Sequence, residues 1–329
     1  MLPSPKSVSI AIVGLFNLPP YFILFTTTLN TFLVRFENFN KGNLAIPKNM
    51  DWGIDTWIFS EIPIQDALTK IRSNNIRYVE IAYEHLEKAD KNGNLEKQFD
   101  ELKDALASVD VKAIQIHGPY GEIDRQLGSI NESVRVNATK KIINWIKLVN
   151  RTNIDVLVLH TNLTQTDYNL NSESFLHKIK EINLINFSEI AKSAQDFGVK
   201  IAIENRLEQT FGAFPQDLIE LVDEINNDYI GICLDTGHAN VNGVPPSKAV
   251  RLFGERLIAT HVHDNNGKGD QHLPPLMGNI NWSDFVSSLN DVHYTTPIIV
   301  EIPGGLGDVS LGMNKIKATS IIMREILQQ

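Results

Sequence analysis

From residue 50 onward, short apolar runs alternate with stretches whose apolar positions recur every three or four residues. The short runs predict strands at 52–57, 77–82, 111–117, 155–160, 199–204, 229–235, 257–263 and 297–302. The longer periodic stretches predict amphipathic helices between them, among them 64–73, 131–149, 172–197 and 215–226. Two helix starts carry their own signals. Asn131 stands ahead of Val134 and Val136, and Pro215 precedes Gln216-Asp217-Leu218. Strand–helix units repeated eight times predict an α/β fold of the (β/α)8 TIM-barrel type. An open doubly wound sheet is the alternative. It usually carries a glycine-rich phosphate loop after an early strand, and no G-x-G-x-x-G follows any strand here. A nucleotide cofactor is therefore not expected.

The first 49 residues break the pattern. No charge occurs from Ser7 to Val34, between Lys6 and Arg35. That run is long enough to span a membrane, but Pro19-Pro20 at its centre removes two helix donors. No A-x-A cleavage site marks a signal peptide. The expected organisation is an N-terminal hydrophobic extension over 1–49 and a catalytic barrel over 50–329. The leading reading of the extension is that the native protein starts at or near Met50. A membrane anchor comes second, with membrane contact only through 7–34, and an arm third.

Among 329 residues, 30 Lys and Arg stand against 39 Asp and Glu, a net charge of −9. Residues 1–49 hold four basic groups and one acid, so the barrel is more acidic than the whole chain. Such a balance disfavours nucleic acid as a partner and leaves small molecules. The single cysteine, Cys233, excludes an intramolecular disulfide framework and any Cys-rich zinc module. A reducing, cytoplasmic location is the matching expectation.

The strand ends carry the chemistry. Glu80 sits in the second run, His117, His160, Glu204 and Asp235 close the next four, and His238 follows Asp235 by one helical turn. His261 and His263 close the seventh run, Asp270 and His272 lie in the loop beyond it, and Glu301 sits in the eighth. In a barrel these ends converge on one face, where active sites form. Alternation puts Ala202 with Glu204, Cys233 with Asp235, and His261 with His263 on common faces. Cys233 then reads as a small buried hydrophobe. Several carboxylates and imidazoles buried together need a partner, and a divalent cation is the simplest. Without thiolates, the donor set suits Mn, Co, Zn or Mg.

These residues fall in IHGPY (116–120), VLHTN (158–162), IAIEN (201–205), GICLDTGHAN (231–240), HVHDNNGKGDQHLPP (261–275), GNINW (278–282) and IIVEI (298–302). In this order they resemble the xylose isomerase-like TIM-barrel superfamily, from about Met50 to the C-terminus. That superfamily includes sugar and sugar-phosphate isomerases and epimerases, inosose dehydratases and endonuclease IV. The resemblance implies a metal shell of Glu204, Asp235, His261 and Glu301. His261 is chosen over His263 because it lies three residues before Asp264. Glu204 and Glu301 would serve as base and acid through an enediolate, and His238, His263, His117 and Arg206 would contact a sugar or keto-polyol. Arg206 and Lys268 could cradle a phosphate, although a solvated surface charge is the blander reading of each. Barrels of this group often pair, so a homodimer is expected.

The resemblance also supplies an alternative. A multi-zinc phosphodiesterase of the endonuclease IV type has nine ligands. Their counterparts here are His117, His160, Glu204, Asp235, His238, His261, Asp270, His272 and Glu301, five of which (His117, His160, His238, Asp270, His272) would hold additional metal. Against it, Pro274-Pro275-Leu276-Met277-Gly278 replaces the L-G-E-G segment, and Asn205-Arg206-Leu207-Glu208 replaces a small, Gly-rich turn. The acidic barrel would also repel a phosphate backbone. A keto-polyol dehydratase using the same enolisation is a further alternative.

Overall fold

The computed structural model describes residues 50–162, 173–305 and 307–327, and the side chains of 173–176 lie outside that description. The extension at 1–49 falls outside the described residues as well. Eight parallel strands run β1 Trp52–Asp55, β2 Tyr78–Ile81, β3 Lys112–His117, β4 Val156–His160, β5 Lys200–Glu204, β6 Ile230–Asp235, β7 Leu257–His261 and β8 Ile298–Val300. Each pairs with its sequence neighbour, and β1 also pairs with β8. Between β7 and β8 the ladder shrinks to a bridge of Val262 with Val300. There Val262 N donates to Ile299 O at 2.7 Å and Glu301 N donates to Val262 O at 3.0 Å. The result is a nearly closed (β/α)8 barrel.

The main helices outside it are α1 Ile64–Arg72, α2 Glu84–Lys91, α3 Leu95–Ser108, α4 Glu122–Leu127, α5 Glu132–Asn150, α6 Glu173–Phe197, α7 Pro215–Ile225, α8 Thr236–Val241, α9 Pro246–Phe253, α10 Trp282–Asp291 and α11 Val309–Leu327. Asn131 caps α5 by accepting from Ser133 N at 3.0 Å, and Pro215 occupies the first turn of α7. None of the described helices is long and apolar enough to cross a membrane.

The strands differ from expectation mainly at their C-terminal ends. The first stops at Asp55 because that side chain accepts from Trp57 N at 2.6 Å and turns 56–59 into a 3-10 helix. The seventh stops at His261, where the chain turns into the long loop toward α10.

Two apolar layers follow from strand alternation. One face of each strand packs on the helices, with Trp145, Phe99, Phe187, Phe253 and Phe285 among the largest fully buried side chains. The other faces the barrel interior, where Val156, Val158, Ala202, Cys233 and Ala259 form a separate cluster. Three of these five are small. The residues two positions on, Glu204, Asp235 and His261, stack above them at the C-terminal mouth, as strand parity requires. Gly53 lets β1 and β2 approach, since a Cβ there would stand 2.3 Å from Tyr78 O.

Candidate active site

Glu204 is the hub. It is only 2% exposed. Its Oε2 lies 3.3 Å from His117 Nε2, 3.1 Å from His160 Nε2 and 3.2 Å from His261 Nδ1. Its Oε1 lies 3.4 Å from His238 Nδ1. Burial would raise this carboxyl, but His261, His160 and His117 together hold it well below the usual range. Burial likewise opposes charging His117, yet Glu204 pushes it up to about 9. Glu301 closes the same space, with Oε2 3.8 Å from His261 Nδ1.

Asp235 has two tasks. Its Oδ1 caps α8 by accepting from His238 N at 2.6 Å, and its Oδ2 lies 3.0 Å from His263 Nε2. Gly237 beside it is a space requirement: a Cβ would stand 1.9 Å from His263 Cε1. Burial opposes charging His238, but Asp235, Asp270 and Glu204 push it up to about 10. His263 also reaches Asp270 Oδ1 at 3.6 Å, while Asp270 Oδ2 lies 2.8 Å from His272 Nε2 and 3.5 Å from His238 Nε2.

The loop after β7 is held by Asp264, which accepts from Trp282 Nε1 at 2.8 Å and Ile280 N at 3.2 Å. A Cβ at Gly278 would meet Asp264 Oδ1 at 2.1 Å. The GNINW segment therefore anchors the loop that presents Asp270 and His272, with Asn281 capping α10.

These side chains form four overlapping groups, with ligand atoms in each within 4.8 Å of one another: His117, Glu204 and His261; Glu204, Asp235 and His238; Asp235, His261 and Glu301; and His238, His263, Asp270 and His272. Glu204 Oε2, His261 Nδ1, His263 Nδ1 and Asp270 Oδ1 are buried without an aligned hydrogen-bond partner. Buried polar atoms left this way are costly, and oxygen and imidazole donors around them fit a divalent cation.

Arg206 departs from both expectations for it. It is 5% exposed, so it is not a solvated charge, and its guanidinium is committed to the protein. Nη1 donates to Thr161 O at 2.8 Å and pairs with Asp124 Oδ2 at 3.3 Å, and Nε pairs with Glu208 at 3.1 Å. Asp124 in turn stands 3.5 Å from His160 Nδ1. Lys268 is exposed on the β7 loop.

Asp55, Trp57 and Tyr120 are among the cleft residues that had no place in the expected site. Asp55 is fully buried at the end of β1, and burial, with Glu80 and Glu301 nearby, raises its carboxyl well above its usual range. Trp57 stands edge-on to His272 at 5.0 Å. Tyr120 is 42% exposed, packs edge-on to His117 at 5.4 Å, and donates to Glu84 Oε1 at 2.8 Å. An acid closing the first apolar run and aromatics just past two strand ends are the signals that could have revealed them.

A (β/α)8 barrel with carboxylates and imidazoles converging at the C-terminal mouth defines a class of barrels equipped to hold cations at the active-site face. Within that class, the chain belongs to the xylose isomerase-like TIM barrel family, whose profile matches residues 68–319. An uncharacterized protein of Methanocaldococcus jannaschii is 29% identical over 257 residues, 77% of this chain and 84% of the relative. A D-psicose 3-epimerase of Enterocloster bolteae is 27% identical over 137 residues, 41% of this chain and 43% of the enzyme. The crystal structure of a D-tagatose 3-epimerase-like protein superposes with a TM-score of 0.70 at 25% identity, covering 85% of this chain and 97% of that one.

Proposed function

We propose that this chain is a divalent-metal-dependent isomerase or epimerase of an uncharged ketose or keto-polyol. The observation that carries the reading is the approach of Glu204 and Glu301 to one nitrogen, His261 Nδ1, at 3.2 and 3.8 Å. Two carboxylates then border one small space, as proton exchange at a single carbon requires. The similarity to epimerases of keto-sugars supports the substrate class. A divalent cation held by Glu204, Asp235, His261 and Glu301 would polarise adjacent hydroxyl and carbonyl oxygens and acidify the C–H between them.

Glu204 removes that proton, leaving an enediolate, and Glu301 returns one. Return to the opposite face of the same carbon gives an epimer, and return to the neighbouring carbon, with the hydroxyl proton passing from one oxygen to the other, gives an isomer. His238 and His117 hold substrate hydroxyls, and Trp57 and Tyr120 provide apolar walls for the sugar C–H faces. No lysine or arginine lines this cleft among the described residues, and residues 163–172 contain none in sequence. With Arg206 committed to Thr161 O, Asp124 and Glu208, no guanidinium or ammonium in the described cleft answers a phosphate.

The test is a screen of unphosphorylated ketoses, keto-polyols and their phosphates, with metal content per chain measured in parallel. Turnover of a neutral ketose, lost on chelation and restored by Mn or Co, is the expected result. Exclusive turnover of phosphorylated sugars would overturn the neutral-substrate assignment. Metal-independent turnover would remove the metal.

The group of His238, His263, Asp270 and His272 favours a second reading as a multi-zinc phosphodiesterase. Two or three zinc ions per chain and nicking of an abasic duplex would support it. Loss of water from a keto-polyol in the same screen would redirect the enolisation to a dehydratase.

A further inference from the structure

Glu80 is fully buried on β2, yet the proposed proton transfers and the four candidate cation groups leave it out. Its Oε2 lies 2.8 Å from His261 Nε2 and accepts from Gln115 Nε2 at 3.0 Å. Gln115 also reaches Thr260 O at 3.4 Å, so it braces Glu80 against the strand that carries His261. The other nitrogen of that ring, Nδ1, faces Glu204 and Glu301. The contact with Glu80 is short but bent away from an aligned hydrogen bond, and carboxylates flank both ring nitrogens; a cation held by Glu204 and Glu301 would exclude a proton from Nδ1 and leave Nε2 to carry it.

A neutral imidazole carries one ring proton, and an ionised carboxylate accepts only. With a cation at Nδ1, Glu80 stabilises the proton on Nε2 and leaves the Nδ1 lone pair facing the cleft. A carboxylate behind a metal-ligating histidine both orients the ring and raises its basicity. We propose that Glu80, braced by Gln115, is a positioning residue that fixes the tautomer of His261 and thereby sets the affinity of the site for a divalent cation. The proposal rests on the reading of His261 as a cation ligand.

Cobalt(II) titrated into the purified, metal-free full chain tests it, with affinity and the visible absorption spectrum as readouts. Glu80→Gln is expected to weaken binding about tenfold, and Glu80→Met by up to about 100-fold, both with an altered spectrum. Glu80→Asp, which keeps the charge, should recover part of the loss. His261→Ala serves as the reference. If it binds cobalt as the wild type does, the reading of His261 fails and this proposal with it. If it loses cobalt while both the Gln and Met variants keep wild-type affinity and spectrum, only the proposal is overturned. Should the Glu80 variants not fold, long-range proton–nitrogen correlations of the metal-free wild type, at a pH where the ring is neutral, report the tautomer directly. A proton on Nε2 of His261, assigned by its absence from His261→Ala, supports the proposal. A proton on Nδ1 overturns it.

Discussion

Glu204→Gln is expected to lower turnover of a responsive ketose by about 10²–10⁴-fold, the usual worth of a positioned acid–base group. The amide has nearly the same shape, so the barrel should still assemble. What changes is charge at the centre of the site. His117, His160 and His261 all lie within 3.3 Å of Glu204 Oε2. Glutamine can neither take a proton from carbon nor neutralise a cation, so metal content per chain should fall together with kcat. Steady-state kinetics and elemental analysis on the same preparation check both. Full turnover in the variant would eliminate Glu204 as the base.

Arg206→Ala should produce the larger loss of stability. Its removal deprives Asp124 of its guanidinium, leaving Gly121 N at 2.9 Å and the more distant His160. Breaking a buried ion pair by deleting one member costs about 3–5 kcal/mol. For a domain of this size that lowers the melting temperature by roughly 10 °C, measurable by calorimetry. Arg206→Lys should recover only part, because one ammonium cannot reproduce the forked contacts to Asp124, Thr161 O and Glu208. A variant that melts with the wild type would show that the pair contributes little to folding.

These two residues also illustrate what could be read in advance. The barrel was legible because each strand is a short apolar run with a polar terminus, and alternation placed Glu204 above Ala202 and Asp235 above Cys233. The convergence of histidines and acids was legible for the same reason. Arg206 was not: an arginine just past a strand reads as solvated, and its partner Asp124 lies 82 residues away in sequence. Asp55 was hidden because the expected strand ran on to Trp57 and put the acid inside it, whereas the side-chain cap on Trp57 N ends the strand at Asp55. Glu80 was visible as a strand-end acid, but its contact with His261 depends on which way each side chain crosses the barrel.

The thin join between β7 and β8 has a mechanical consequence. Every other neighbouring pair shares a ladder of three or more register partners, whereas this one depends on the bridge of Val262 with Val300. The barrel wall is therefore expected to part first along this seam. His261 and His263 flank Val262 on one side of it, and Glu301 follows Val300 on the other. A cation gripped by His261 and Glu301 would act as a rivet across the gap, coupling ligand loading to the integrity of the wall. Amide exchange at Val262 and Glu301 should accordingly slow when metal is added, more than exchange at the β3–β4 ladder on the opposite side.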